Sequence, residues 1–227
     1  MAVPNPVRLF HITAIANLPA ICATGALLAK NAGAATGIGY QNIAHAGAQG
    51  ARAGKPVPSP PGGQIHDYVP FYFAPRSPML MAIHGGRVSG CDLKQEDIVH
   101  FETSVMRVTA EGAQYVFYDR NATLAFSEAF NDVAHLEAAV AWDLLTEAPT
   151  LDGFCKYWQS VLDKPRYADR MERRQAEFLV RQHVLLGAIS RIGVANETKA
   201  QIVRGILAAA KVPLPVEVKT DWYFLGQ

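Results

Sequence analysis

Glu177 stands inside "RRQAEFLV" (residues 173–180), where Ala176, Phe178 and Val180 alternate along one side of what reads as a strand. A carboxylate set among apolar residues needs a partner or a reason, because burying an unpaired charge is costly. Two other polar side chains interrupt apolar strands in the same way, His11 in "LFHIT" and Tyr72 in "FYFAP". Each taken singly reads as a satisfied core or rim residue. Together they suit one chemistry, cleavage of an N-glycosidic bond to ribose through an oxocarbenium-like transition state. A carboxylate beside the ribose stabilises the developing positive charge and accepts a hydrogen bond from a hydroxyl. An aromatic ring offers a stacking surface to a flat leaving group. An arginine matches a pyrophosphate through paired N–H donors. Arg52 is the sole arginine of a long Gly/Ala/Pro-rich stretch, and by itself it reads as a solvated loop charge.

Other chemistries find no support. The sequence holds no GxSxG elbow, no GxxxxGK[ST] phosphate loop and no HExxH, and "GIGYQN" fails the dinucleotide fingerprint. Cys22, Cys91 and Cys155 are far apart, form no CxxC pair and do not cluster with histidines, so no metal is expected and a reducing compartment fits. No stretch approaches the roughly 20 apolar residues of a membrane span, and "LPAICATGALLA" lacks a basic leader, so a cytoplasmic location is expected. With 21 basic and 20 acidic residues, any affinity for nucleic acid must come from a local patch.

The elements that must position these residues follow from pattern. "RLFHIT" (8–13) reads as a first strand. Asn17 is the expected N-cap of a short helix, with Pro19 in its first turn and Gly25 as its stop. Residues 33–63 read as a long loop, of the kind that is either functional or disordered. "HDYVPFYFAPRSPML" (66–80) reads as an edge strand or an extended segment, because Pro70 lacks a donor, followed by a rigid turn at "APRSPM". "IVHFETSVMRVT" (98–109) and "AQYVFYD" (113–119) read as two further strands turning near Gly112. Residues 133–145 fit a helix or a short strand, and periodicity does not choose. A polar, aromatic stretch at 150–172 precedes a helix over "ANETKAQIVRGILAAAK" capped by Asn196, and Val216, Val218 and Trp222 alternate as a last strand. The expected fold class is α+β with mostly antiparallel strands, in a single domain over residues 1–227.

"FHITAIANLPAICATGALLA", "HDYVPFYFAPRSPML", "DRNATLAF", "RRQAEFLV" and "VEVKTDWYF" occur in this order across nearly the whole chain. They resemble the DarT-type DNA ADP-ribosyltransferase toxins, relatives of the wider ADP-ribosyltransferase and PARP group. The resemblance implies an ADP-ribosyltransferase fold, a split and mostly antiparallel β core with flanking helices and a central NAD cleft. It implies transfer of ADP-ribose from NAD to a base of single-stranded DNA, often thymine, with a DarG-type macrodomain antitoxin that reverses it. Carried over by residue, His11, Ile12 and Thr13 would hold NAD, Ala20 and Leu28 would line its pocket, and Tyr72 and Met79 would lie along the nicotinamide side. Glu177 would be the catalytic glutamate, and Arg52 would be essential to catalysis and to NAD binding. Segment 33–63 would cover NAD and segment 131–176 would face the substrate, with Arg166, Tyr167, Arg170 and Arg174 as DNA contacts. Asn121 stands where some relatives have histidine. An RNA or protein acceptor, or an inactive NAD- or nucleic-acid-binding module, are the alternatives.

Overall fold

The computed structural model describes residues 3–44, 46–110 and 112–225. Strand β1 (Arg8–Ala14) is the expected first strand, with Leu9, Phe10 and Ala14 fully buried. Helix α1 (Leu18–Thr24) carries Pro19 in its first turn and stops at Gly25, whose φ of +67° suits a residue without a Cβ. Asn17 precedes this helix without capping it. Its buried side chain donates to Thr13 Oγ1 (2.9 Å) and to the Gln41 carbonyl (3.0 Å), and accepts from the Gln41 N–H (2.7 Å). Strand β2 (Ala26–Leu28) follows. The 33–63 stretch is not loop throughout, because α2 (Lys30–Ala35) runs into it and α3 (Ala46–Ala53) lies within it. Alanine has the highest helix propensity of any residue, which outweighs the glycines there.

Strand β3 (Tyr68–Tyr72) leads through the turn at residues 73–77 into α4 (Pro78–His84), where Ser77 caps by accepting from the Leu80 N–H. Strand β4 (Ile98–Ser104) covers only the first half of the expected strand at 98–109, and the rest is α5 (Val105–Ala110). The reason is local: Ser104 Oγ accepts from the Arg107 N–H, an N-cap contact, and Val105 and Val108 bury at helical spacing. Strands β5 (Tyr115–Tyr118) and β6 (Ala129–Phe130) precede two short helices, α6 (Leu136–Ala139) and α7 (Trp142–Leu145), so 133–145 is helical with a break at Val140. A small hairpin joins β7 (Thr150–Leu151) to β8 (Phe154–Cys155). Helix α8 (Arg170–Arg173) runs into β9 (Glu177–Arg181), followed by β10 (His183–Leu185) and β11 (Arg191–Val194). Helix α9 (Glu197–Ala209) is capped as expected, Asn196 accepting from the Lys199 N–H at 3.0 Å. Strand β12 (Val216–Val218) ends before Trp222, which lies in a separate turn and packs edge-on to Phe10, leaving no room for a Cβ at Gly193.

The main sheet has eight strands in the order β12-β11-β4-β1-β3-β9-β5-β6, and every pair but β11–β12 is antiparallel. The fold is therefore the α+β class expected. β1 pairs with β4 along its whole length, but meets β3 only where Phe10 faces Tyr72. Beyond that rung the two halves of the sheet part. This corrects the reading of β3 as an edge strand, since it lies inside the sheet, paired to β9 over five registers. Pro70 is tolerated because the side of β3 facing β1 is open there, and no ladder donor is lost.

Candidate active site

Register places Glu177 opposite Tyr72 on one side and Tyr118 on the other. Residues directly opposed across antiparallel strands share a face. The carboxylate thus sits between two phenols, and Glu177 is fully buried. Arg52 reaches it from the end of α3, with Nη1 3.0 Å from each carboxylate oxygen. A backbone N–H from Ala122 also donates to the carboxylate. Arg52 was expected to read as a solvated charge if taken alone; it is instead half of a buried ion pair.

Burial pushes the Glu177 carboxyl above its ordinary value, opposed by Arg52 and by the Ala122 N–H. For Arg52, burial alone would favour the neutral form, but Glu177 outweighs it and holds the guanidinium charged. The arginine is the fixed charge and the carboxyl is the member that titrates. Burial first, and then the Glu177 carboxylate, push the Tyr118 phenol up to about 12, and the same causes raise Tyr72. Two buried polar atoms of this group, Arg52 Nη2 and Tyr118 Oη, have no hydrogen-bond partner among the described residues. Atoms in that state are where a ligand's oxygens are taken up at little desolvation cost.

His11 stands where the sheet halves part. Its Nδ1 lies 2.8 Å from the Pro70 carbonyl, which can only accept, so Nδ1 carries the proton of a neutral ring. Burial lowers the pKa of His11 against that contact, leaving Nε2 as an acceptor. Thr13 is buried and held by Asn17, and Ile12 packs in the core. Ala20 lies half-buried on α1, and Met79 lies half-buried in the first turn of α4. Leu28 lines a hollow of about 360 Å³ with Asp67 and Arg181. The structure therefore brings Arg52, Tyr72 and Glu177 together and sets His11 and Thr13 on β1 at the split.

Tyr118, the Ala122 N–H and Asn17 were not foreseen. Tyr118 was visible as one ring in a strand, but only the β5–β9 register sets it beside Glu177. Asn121 has a clear part: its Oδ1 accepts from the N–H (3.0 Å) and the hydroxyl (2.7 Å) of Thr123, fixing the turn that presents Ala122.

The expected DNA-contact residues divide. Arg166 is half-exposed, 3.3 Å from Glu147, and the Tyr167 hydroxyl donates to Glu147 at 2.8 Å. Arg170 and Arg174, expected beside them as DNA contacts, are both buried. The Arg170 guanidinium lies 4.0 Å from the centre of the Tyr167 ring and 3.2 Å from Glu147. Arg174 donates to the Leu144 carbonyl (3.0 Å) over the Trp158 ring, and burial lowers its pKa to about 10. Both tie α8 to earlier parts of segment 131–176, just before the strand that carries Glu177. Among the described residues no group of three or more His, Cys, Asp or Glu could hold a metal ion, and no helix is long and apolar enough to cross a membrane.

The family model described as "ssDNA thymidine ADP-ribosyltransferase, DarT" matches residues 10–224. The chain belongs to the DarT family. A relative named DNA ADP-ribosyl transferase from Thermus sp. (strain 2.9) is 36% identical over 224 residues, covering 97% of this chain and 98% of the relative. A solved structure of Thermus sp. 2.9 DarT with ADP-ribosylated ssDNA has a TM-score of 0.86 at 34% identity, covering 99% of each chain. That protein in complex with NAD+ has a TM-score of 0.81 at 33% identity, covering 98% of this chain and all (100%) of that one. The DarT match spans both sheet halves and the split between them.

Proposed function

We propose that this chain transfers ADP-ribose from NAD to thymidine in single-stranded DNA and releases nicotinamide. The observation that carries the reading is the buried Arg52–Glu177 pair between Tyr72 and Tyr118 at the split in the sheet. Family membership supplies the donor and the acceptor. The chain acts as one catalytic unit over residues 1–227. Segment 33–63, pinned at Gln41 by Asn17, covers NAD, and segment 131–176 faces the DNA.

His11, Ile12 and Thr13 hold the donor at β1, with Ala20 and Leu28 lining its pocket and Tyr72 and Met79 along the nicotinamide side. Glu177 stabilises positive charge on the ribose as the bond to nicotinamide breaks, and nicotinamide leaves neutral with the bonding electrons. Arg52 stays protonated, because a guanidinium does not give up its proton at ordinary pH. Its role is electrostatic: gripping phosphate, or polarising the base carbonyl so that the ring nitrogen gives its proton to water as it bonds to the ribose. Arg166 and Tyr167 face the strand directly, while Arg170 and Arg174 hold the segment that presents them. The chain works as a toxin in the cytoplasm, where NAD and DNA meet, opposed by a DarG-type macrodomain antitoxin.

Labelled NAD offered with single-stranded DNA, duplex DNA, RNA and protein tests this, with label expected on thymidine of the single strand. Label on RNA or protein alone would move the acceptor assignment. NAD left intact in every mixture would reduce the chain to a binding module.

A further inference from the structure

Apart from the Arg52–Glu177 pair, a hollow of about 700 Å³ is bordered by α4, α8 and the segment after β8. That volume lies within the range of small-molecule sites, about 300–1,000 Å³. Its walls carry the rings of Tyr157, Trp158 and Phe224 and the cations Lys156, Lys164 and Arg170. Glu147, the one carboxylate on the wall among the described residues, is already engaged by the Tyr167 hydroxyl (2.8 Å) and by Arg170 (3.2 Å). Trp158 Nε1 and Arg170 Nε are buried donors with no acceptor among the described residues. Tyr157 stands at the rim, 53% exposed. Rings, surplus positive charge and unanswered donors together call for a ligand that is flat, anionic and rich in acceptors.

A nucleotide has all three properties, and the position of the hollow favours one on the acceptor strand. Arg170 lies seven residues before Glu177, so their Cα atoms are at most about 25 Å apart. Arg174, three residues before Glu177, lies over the ring of Trp158 on the wall of the hollow. We infer that this hollow takes an unpaired base and phosphate of the DNA strand a few nucleotides from the acceptor base, and thereby selects the flanking sequence. The inference rests on the single-stranded DNA reading above and adds to it a second binding site for the strand.

The test is a series of single-stranded oligonucleotides with one abasic residue walked outward from the acceptor base, with KM and kcat of transfer measured for each. In the wild-type enzyme one flanking position should raise KM about tenfold with kcat little changed, the loss expected of one stacked base. In Tyr157→Ala, a rim substitution, the penalty at that position should fall below about twofold. In the Lys156→Ala/Lys164→Ala double variant, the slope of log affinity on log salt should flatten by about 0.7 for each phosphate that is no longer neutralised. A scan flat outside the acceptor base, or a penalty unchanged in Tyr157→Ala, overturns the hollow as a base site while leaving the acceptor assignment standing. Cleavage of NAD with no transfer to any DNA overturns both.

Discussion

Removing Arg52 should destabilise the protein in a way that depends on pH, and the dependence should vanish when Glu177 is removed as well. Glu177 is fully buried, and Arg52 is its guanidinium partner, bridging both oxygens at 3.0 Å. Arg52→Ala leaves a buried carboxylate without its countercharge, a change that costs about 3–5 kcal/mol. For a chain of this size that corresponds to a fall of roughly 6–20 °C in Tm. The sign with pH follows from linkage. Burial already raises the folded pKa of Glu177 above its ordinary 4.5, and loss of Arg52 raises it further. Between the unfolded and folded values the native state holds the extra proton, so stability falls as pH rises through that window. Glu177 is neutral in the variant at the acid end, and the gap to wild type is small there. It should open to its full size as pH climbs past the raised value. Urea unfolding of wild type, Arg52→Ala and Arg52→Ala/Glu177→Gln from about pH 4.5 to pH 8 measures it. A gap independent of pH, or a double variant no more stable than Arg52→Ala at neutral pH, would refute the reasoning.

Glu177→Ala should lower DNA modification at least about a hundredfold while NAD affinity is largely kept, which titration calorimetry beside a transfer assay decides. Loss of both together would mean that Glu177 serves binding rather than the chemical step. Tyr118→Phe removes a buried hydroxyl that has no partner among the described residues, so thermal unfolding should show stability unchanged or raised by up to about 1 kcal/mol. Transfer should nonetheless slow by up to about tenfold, the net value of one hydrogen bond from the hydroxyl to a substrate oxygen; an unaltered rate would remove Tyr118 from the site. Asn17→Ala breaks three hydrogen bonds that pin Gln41 to β1 and should cost about 2–3 kcal/mol in chemical denaturation, with KM for NAD rising more than kcat falls.

What could be read from the sequence was what local pattern controls. The β1 strand, the Gly25 stop and the Asn196 cap are local events, and each stands where it was expected. Glu177, Tyr72 and His11 were legible as polar interruptions of apolar strands, since a strand tolerates these only for a reason. Properties of partners were not legible. Pro70 read as an edge signal because its missing donor is a local fact, whereas the gap that excuses it depends on where β1 ends its pairing. Arg170 and Arg174 were named as DNA contacts, but that Glu147, Tyr167, Leu144 and Trp158 enclose them could not be read from the sequence. Trp222 read as a strand residue because its apolar period continues past Val218, although the turn at Thr220 breaks it. Ser104 turns an apolar run from strand into helix through one side-chain hydrogen bond that composition does not reveal.

The two charges of the Arg52–Glu177 pair are separated by 125 positions in the chain. At synthesis rates of about 5–20 residues per second, roughly 6–25 s pass between the addition of Arg52 and that of Glu177. During that interval the growing polypeptide carries a guanidinium with no carboxylate and half a cleft with no floor. A chain interrupted anywhere before β9 (Glu177–Arg181) lacks the paired charges altogether. The order of assembly therefore keeps the centre incomplete until β9 has been added.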